Sequence, residues 1–151
     1  MRPMYETDET RVREDAVVEL LCRHLDKASG LAERSWLWRR LPVSYRLDYA
    51  IEDSHEVKAW CEVKCRDIRR SDYETLILAV GKWVAGCELS QTTGLPWVVL
   101  VMWTDAVGFF KWDGVFEPKI SWGGRTRKTR DVADVEPVVH LPVDEFVEVR
   151  V

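Results

Sequence analysis

The continuous apolar run LPWVVLVMW, residues 95–103, constrains the fold of this chain more than any other segment. A run of this kind, bounded by Pro96 and Thr104, is typical of a strand that is buried on both faces. A second strand-like segment, EVKAWCEVKCR at residues 56–66, precedes it, and the residues between the two predict a helix over about 73–90. A strand, a helix and a strand in this order need a crossover connection, and the helix must cover the sheet. We therefore expect an α/β fold with a central mixed β-sheet that is flanked by helices and has at least one parallel strand pair.

Sequence signals also place the ends of two helices. Residues 9–28 carry apolar groups at the 3.6-residue spacing of an amphipathic helix, which Ser29 then ends. The second helix has Ser71 or Asp72 as its N-cap and Gly94 beyond its end. Further strands are expected in WLWRRLPV, YRLDYAIE, AVGFFKW and PVVHLP, and the stretch from Asp113 to PVVHLP is expected to be rich in loops.

The composition is that of an ordinary globular protein. The chain has 151 residues, of which 46% are hydrophobic and 32% charged, so we expect residues 1–151 to form a single domain. It has no run of eighteen apolar residues and no apolar segment near its start, which favours a cytoplasmic protein without a membrane span. The four cysteines are expected to be reduced thiols in that compartment.

The segment CEVKC, residues 61–65, carries the chemistry. On a strand, Glu62 and Lys64 point to the same side, because side chains alternate with a period of two. An antiparallel neighbour formed by YRLDYAIE would bring Asp48 to the same end of the sheet. Two carboxylates that meet there attract a hard divalent ion such as Mg²⁺, and the adjacent ammonium can orient a water or offset charge on a phosphate.

A third carboxylate is expected from the first helix. At about 100° per residue, Glu14 lies on the same stripe as Val17, Val18 and Leu21, whereas Glu19 lies about 140° from Glu14 and is expected to face water. A carboxylate on the buried stripe needs a partner or an ion. Glu14 is therefore expected to join Asp48 and Glu62, with the carboxyl oxygens within about 5 Å of a common point.

Asp48, the tripeptide Glu62-Val63-Lys64 and the preceding helix with Glu14 together resemble the signature of the PD-(D/E)XK nuclease superfamily. The resemblance covers residues 9 to about 103, and it departs from the usual motif at Leu47, which replaces a proline. It implies a restriction-endonuclease-like fold and metal-dependent cleavage of phosphodiester bonds with Mg²⁺ or Mn²⁺. It also implies that Asp48 and Glu62 ligate the metal, that the Val63 carbonyl and Glu14 add ligands, and that Lys64 acts on the attacking water.

Several basic residues are candidates for contacts with nucleic acid. Lys82 is the only basic residue in the second helix, where a phosphate contact and a solvated surface lysine remain alternatives. One basic cluster directly follows the motif and contains Arg66, Arg69 and Arg70. A second cluster follows a pair of glycines and contains Arg125, Arg127, Lys128 and Arg130.

Two functions are therefore compared. The first is a small metal-dependent nuclease acting on DNA, with RNA not excluded, as a junction-resolving or structure-selective endonuclease that works as a homodimer. The alternative is a nuclease-like module that binds nucleic acid or serves in an assembly without cutting. Metal-dependent cleavage that is lost on substitution of Asp48 or Lys64 would distinguish the first function from the second.

Overall fold

The computed structural model describes residues 7–30, 34–124 and 135–150. The helices are α1 (Asp8–Ala28) and α2 (Val80–Thr93). The strands before α2 are β1 (Trp36–Arg40), β2 (Tyr49–Asp53), β3 (Glu56–Cys65) and β4 (Thr75–Ala79). The strands after it are β5 (Trp97–Met102), β6 (Val107–Lys111), β7 (Lys119–Gly124), β8 (Val135–Pro142) and β9 (Val147–Glu148).

Among the described residues, the larger sheet has six strands in the order β1-β2-β3-β5-β6-β9. Strands β3 and β5 are parallel, with Glu62 opposite Val99, while all other neighbours in this sheet are antiparallel. The expected mixed sheet with a parallel pair across the crossover is confirmed. None of the described helices combines the length and the apolarity that a membrane crossing requires.

A second sheet has three antiparallel strands in the order β4-β8-β7, and the sequence analysis did not foresee it. The prediction of one helix over about 73–90 is wrong in its first part, because Thr75–Ala79 forms β4 and α2 begins at Val80. Ala79, rather than Ser71 or Asp72, is the N-cap of α2. The prediction of loop after Asp113 is also wrong in part, because Lys119–Gly124 forms β7.

The larger sheet is covered on both faces, which explains its continuous apolar strands. Helix α1 begins at the cap Thr7, whose side chain accepts a hydrogen bond from the Thr10 amide, and it packs on one face. The buried residues of that face are Val17, Val18, Leu21, Cys22, Tyr49, Ile51, Cys61, Val63, Val98 and Leu100. Helix α2 and the smaller sheet cover the other face, where the core contains Trp60, Leu76, Leu78, Trp83, Trp97, Val99, Val101, Val139 and Leu141.

Helix α2 and strand β5 approach each other closely at Gly86. A Cβ atom on this residue would lie 2.4 Å from ring atoms of Trp97. The Trp97 ring in turn packs edge-on against Trp83, with 5.3 Å between the centroids. The absence of a side chain at Gly86 therefore sets how near α2 lies to β5.

Candidate active site

Asp48, one residue before β2, lies opposite Glu62 of β3. Tyr49 pairs with Cys61 in the antiparallel β2–β3 ladder, so the position before Tyr49 faces the position after Cys61. Side chains that are directly opposed in this way start about 5 Å apart on one face of the sheet. The Asp48 carboxylate is fixed by the Val63 amide, which donates a 2.9 Å hydrogen bond to Oδ2. The structure thus brings together the two acidic residues that the sequence predicted as neighbours.

Two lysines from different elements reach Glu62. The Lys64 Nζ atom, from the same strand, lies 3.8 Å from Glu62 Oε1, and the Lys82 Nζ atom, from α2, lies 3.3 Å from the same oxygen. Lys82 also donates a 2.7 Å hydrogen bond to the backbone carbonyl of Arg46. The sequence left open whether Lys82 faces the site or the solvent, and the structure places it at the site.

Glu62 is nearly inaccessible to water, with a relative exposure of 1%. Burial, reinforced by the nearby Asp48 carboxylate, raises its pKa to about 8, while Lys64 and Lys82 oppose that rise. The side chains of the two lysines are 27% and 35% exposed. The carboxylate of Glu62 therefore lies at the buried end of the site, and the ammonium groups of Lys64 and Lys82 lie at the end that is open to solvent.

One oxygen of the pair lacks a donor. Glu62 Oε2 is buried and receives no hydrogen bond from any described residue, although Oε1 faces both lysines. A buried carboxylate oxygen left in this state is costly, and a cation would satisfy it. Two opposed carboxylates with one open oxygen fit a hard divalent ion, which takes oxygen ligands and keeps several waters.

Glu14 occupies a different place. Its side chain is 15% exposed, as the helical phase predicted, and Oε2 lies 3.9 Å from a terminal nitrogen of Arg40. The buried stripe of α1 packs on the sheet face to which Cys61 and Val63 point, opposite the face of Glu62. In the described part of the chain, no group of three or more His, Cys, Asp or Glu side chains is arranged to hold a metal ion. The structure therefore groups Asp48 with Glu62 but does not group Glu14 with them.

Further contacts around the site carried no sequence signal. Arg40 lies over the Tyr49 ring, 5.1 Å from its centroid, and its Nε is 3.0 Å from Asp15 Oδ1. The Tyr49 hydroxyl donates a 2.5 Å hydrogen bond to the same oxygen, and burial together with this bond raises the pKa of Tyr49. Glu19, expected to face water, instead accepts hydrogen bonds from Arg34, Trp38 and Arg23. These networks link α1 to β1 and β2.

The remaining predicted contacts with nucleic acid are distributed unevenly. Arg66 lies partly buried beyond Lys64, and Arg70 donates hydrogen bonds to the Val143 and Phe146 carbonyls. Arg69 is exposed. The predicted residues of the second basic cluster, Arg125, Arg127, Lys128 and Arg130, lie outside the described residues.

Comparison with known proteins gives a family match and a structural likeness. A model of the family described as "Phage putative PDDEXK endonuclease" matches residues 1–149. No curated protein matches the chain. Among solved structures, the chain is similar to Hjc, a Holliday junction resolvase from the archaeal hyperthermophile Archaeoglobus fulgidus, with 14% sequence identity and a TM-score of 0.46. That match covers 90% of this chain and 97% of the other.

Proposed function

This chain belongs to the phage PDDEXK endonuclease family, and from that premise we propose that it hydrolyses phosphodiester bonds of DNA at Asp48, Glu62 and Lys64 with a divalent cation. The observation that carries the proposal is the placement of Asp48 opposite Glu62, with Glu62 Oε2 open and an ammonium 3.8 Å from Oε1. This geometry joins acidic oxygens to a cationic group at a partly exposed position.

Asp48 and Glu62 are the proposed ligands of Mg²⁺ or Mn²⁺. Their oxygens are hard donors, and the Val63 carbonyl, next to Glu62 in the chain, would add a third. A bound divalent cation supplies Lewis acidity, which favours ionisation of a water and neutralises charge on a phosphate. The Val63 amide holds Asp48 in place, so the ligand pair is fixed by the backbone of β3 itself.

Lys64 is proposed to act on the reacting groups. Its ammonium lies on the same face as Glu62 and keeps 27% of its side chain exposed, so it can reach a polynucleotide at the surface. There it would orient the attacking water and stabilise the negative charge that develops on the phosphate oxygens. Lys82 is proposed as a positioning residue, since it binds both Glu62 and the Arg46 carbonyl.

Cleavage assays test this function directly. Purified protein is incubated with branched, single-stranded and duplex DNA in Mg²⁺, in Mn²⁺ and in EDTA. We expect cleavage only with a divalent ion, and a loss of at least about 100-fold in Asp48→Asn and Lys64→Met, because each removes a charge that acts in the transition state. Lys58→Met is the matched control, since Lys58 lies on the same strand and pairs with the exposed Glu56.

The outcomes separate the candidate functions. Cleavage that persists in Asp48→Asn would refute the proposed ligand pair, and salt-sensitive binding without cleavage would favour a non-catalytic binding module. The branched substrate tests the proposal that the enzyme resolves DNA junctions, and light scattering tests the proposed homodimer. Glu14→Gln tests the predicted role of Glu14 as a metal ligand, either directly or through water.

A further inference from the structure

A cavity of about 280 Å³ lies between the end of β3 and the smaller sheet, and we call it the Arg66 cavity. Its lining residues are Arg66, Ile68, Arg70, Tyr73, Thr75, Leu76, Ile77, Trp103 and Val143. This set contains two guanidinium groups and no carboxylate. Such a charge balance is unusual for a concave site, because cations that are shielded from water normally face acids.

Of the two arginines, Arg66 has fewer hydrogen-bond partners for its guanidinium. Burial lowers the pKa of Arg66, because the charged guanidinium loses contact with water. Its one hydrogen bond to the described residues runs from a terminal nitrogen to the Ile77 carbonyl at 3.4 Å, which is long for an N–H donor. It forms no ion pair with a described carboxylate, although a guanidinium carries five donors. The Arg66 guanidinium is therefore partly desolvated and has hydrogen-bond donors that no described acceptor uses.

Arg70 supplies a second and more rigid positive charge. One of its terminal nitrogens donates to the carbonyls of Val143 and Phe146 at 3.2 and 2.8 Å, and the guanidinium carbon lies 5.5 Å from the centroid of the Trp103 ring. These contacts use backbone and aromatic groups, which do not cancel its charge. The cavity thus has one anchored guanidinium and one with open donors.

The position of Arg66 connects the cavity to the active site. Glu62 and Lys64 are alternate residues of β3, and Arg66 is the next alternate position, one residue beyond the strand, where its amide donates to the Met102 carbonyl at 2.8 Å. At about 6.6 Å per step, the three positions therefore follow one another along the same face. A polynucleotide strand that places a phosphodiester at Lys64 and runs parallel to β3 would bring a neighbouring phosphate to Arg66.

We propose that the Arg66 cavity binds a phosphate of the substrate backbone that flanks the cleaved phosphodiester, with Arg66 as the main contact. The inference rests on the proposed nuclease function and names a subsite for that reaction. Guanidinium groups suit phosphate because their planar donors match two of its oxygens at once. Such a contact positions the substrate and carries no sequence preference.

The first test uses inorganic phosphate and needs no nuclease activity. Thermal unfolding of the wild type is compared in sodium phosphate and in sodium chloride of equal ionic strength. We expect phosphate to raise the midpoint of the wild type but not that of Arg66→Met. In chloride, Arg66→Met should be at least as stable as the wild type, because it removes a buried charge without a counter-charge. If Arg66 had a purely structural role, Arg66→Met would instead have a lower unfolding midpoint than the wild type.

The second test uses duplex DNA in EDTA, where binding is measured without cleavage. We expect Arg66→Met to weaken binding equally for unrelated sequences and to reduce the slope of log K against log salt by about one, as loss of one phosphate contact predicts. Arg66→Lys keeps the charge and should keep the slope. The control is Arg23→Met, an exposed arginine of α1 that pairs with Glu19 on the opposite side of the larger sheet.

The results distinguish this proposal from the proposed function. An unchanged salt slope in Arg66→Met, together with metal-dependent cleavage by the wild type, would overturn the subsite and leave the nuclease intact. Stabilisation by phosphate through Arg66 without any DNA binding would reject both the substrate phosphate and the nuclease function, and it would leave a site for free anions only.

Discussion

Glu62 combines a charge with almost complete exclusion of water, and this combination governs the chemistry of the site. Its burial is the largest cause of its raised pKa, and the two lysines offset the cost only in part. A carboxyl group whose ionised form is disfavoured in the folded protein makes the protein less stable once the pH is high enough to ionise it. Stability and the proposed metal binding are therefore linked through one side chain.

We predict that the metal-free protein loses stability as the pH rises from the ordinary carboxyl value of 4.5 to about 8, the pKa of Glu62 in the fold. Over this range the folded state holds a proton that the unfolded state has released, so the free energy of unfolding falls with pH. The loss amounts to at most about 5 kcal/mol, since one pKa unit corresponds to about 1.4 kcal/mol. Chemical denaturation at a series of pH values measures it.

The Glu62→Gln variant provides the control for this titration. It is isosteric and cannot ionise, so the fall in stability between these pH values should shrink, and Mg²⁺ should no longer stabilise the protein at pH 8. A wild-type profile that rises with pH across this range would contradict the assignment.

A second prediction concerns Lys82 as a positioning residue. Its ammonium lowers the pKa of Glu62, so Lys82→Met should raise that pKa further and move the acidic limb of the pH–rate profile to higher pH. We expect a fall of roughly tenfold in kcat at neutral pH. Lys82→Arg, which keeps the charge, should restore much of the profile, whereas a variant that only lowers stability would leave the limb where it was.

The elements of the fold differ in how far the sequence determines them. Strand β3, strand β5 and helix α1 follow from local periodicity, and their pairing and the opposition of Asp48 and Glu62 were predicted from it. Strand β4 was predicted as helix, because its Leu76, Ile77 and Leu78 run directly into α2 without a turn residue. Its true partner is β8, a distant segment that local signals cannot identify.

In the candidate site too, some features follow from the local sequence and others depend on distant segments of the chain. The helical phase of α1 showed that Glu14 faces inward, but it could not show which face of the larger sheet α1 would cover. The position of Lys82 depended on where α2 begins, and that boundary was misplaced. The surroundings of Arg66 are formed in part by β4 of the smaller sheet, and the sequence analysis did not predict that sheet. The lack of a counter-charge near Arg66 could therefore not be predicted.

Two glycines of α2 give a matched test of helix packing. Gly86→Ala places a methyl group 2.4 Å from the Trp97 ring and should lower the free energy of unfolding by about 1–3 kcal/mol, the usual cost of overpacking. At Gly81, nothing among the described residues lies within 4 Å of the added carbon, so Gly81→Ala should stabilise the protein by up to about 1 kcal/mol through helix propensity. Urea denaturation of both variants checks the difference, and a gain in stability at Gly86 would refute the close contact.

At the scale of the whole molecule, the core on the α2 side joins the two sheets. Leu76, Leu78, Val139 and Leu141 of the smaller sheet belong to the same buried cluster as Val99 of the larger one. A shared core of this kind favours cooperative unfolding, and it supports the proposal that residues 1–151 act as one domain.

This cooperativity can be tested with a cavity mutant in the smaller sheet. Leu141→Ala should lower the free energy of unfolding by about 2–5 kcal/mol and shift a single transition, seen alike by tryptophan fluorescence and circular dichroism. Val43→Ala, at a side chain that is 86% exposed, should change stability by less than about 0.5 kcal/mol. Two separate transitions in Leu141→Ala would show instead that the sheets unfold independently.

The central position of β3 has a consequence for how the substrate is accommodated. This strand is paired with β2 on one side and with β5 on the other, and both of its faces are covered, so its backbone amides should be among the slowest in the protein to exchange hydrogen. Glu62 and Lys64, the proposed reacting groups on this strand, are therefore expected to keep their positions when nucleic acid binds. The nucleic acid itself must then bend or open to meet them, and sequences and structures that deform readily should be cut first.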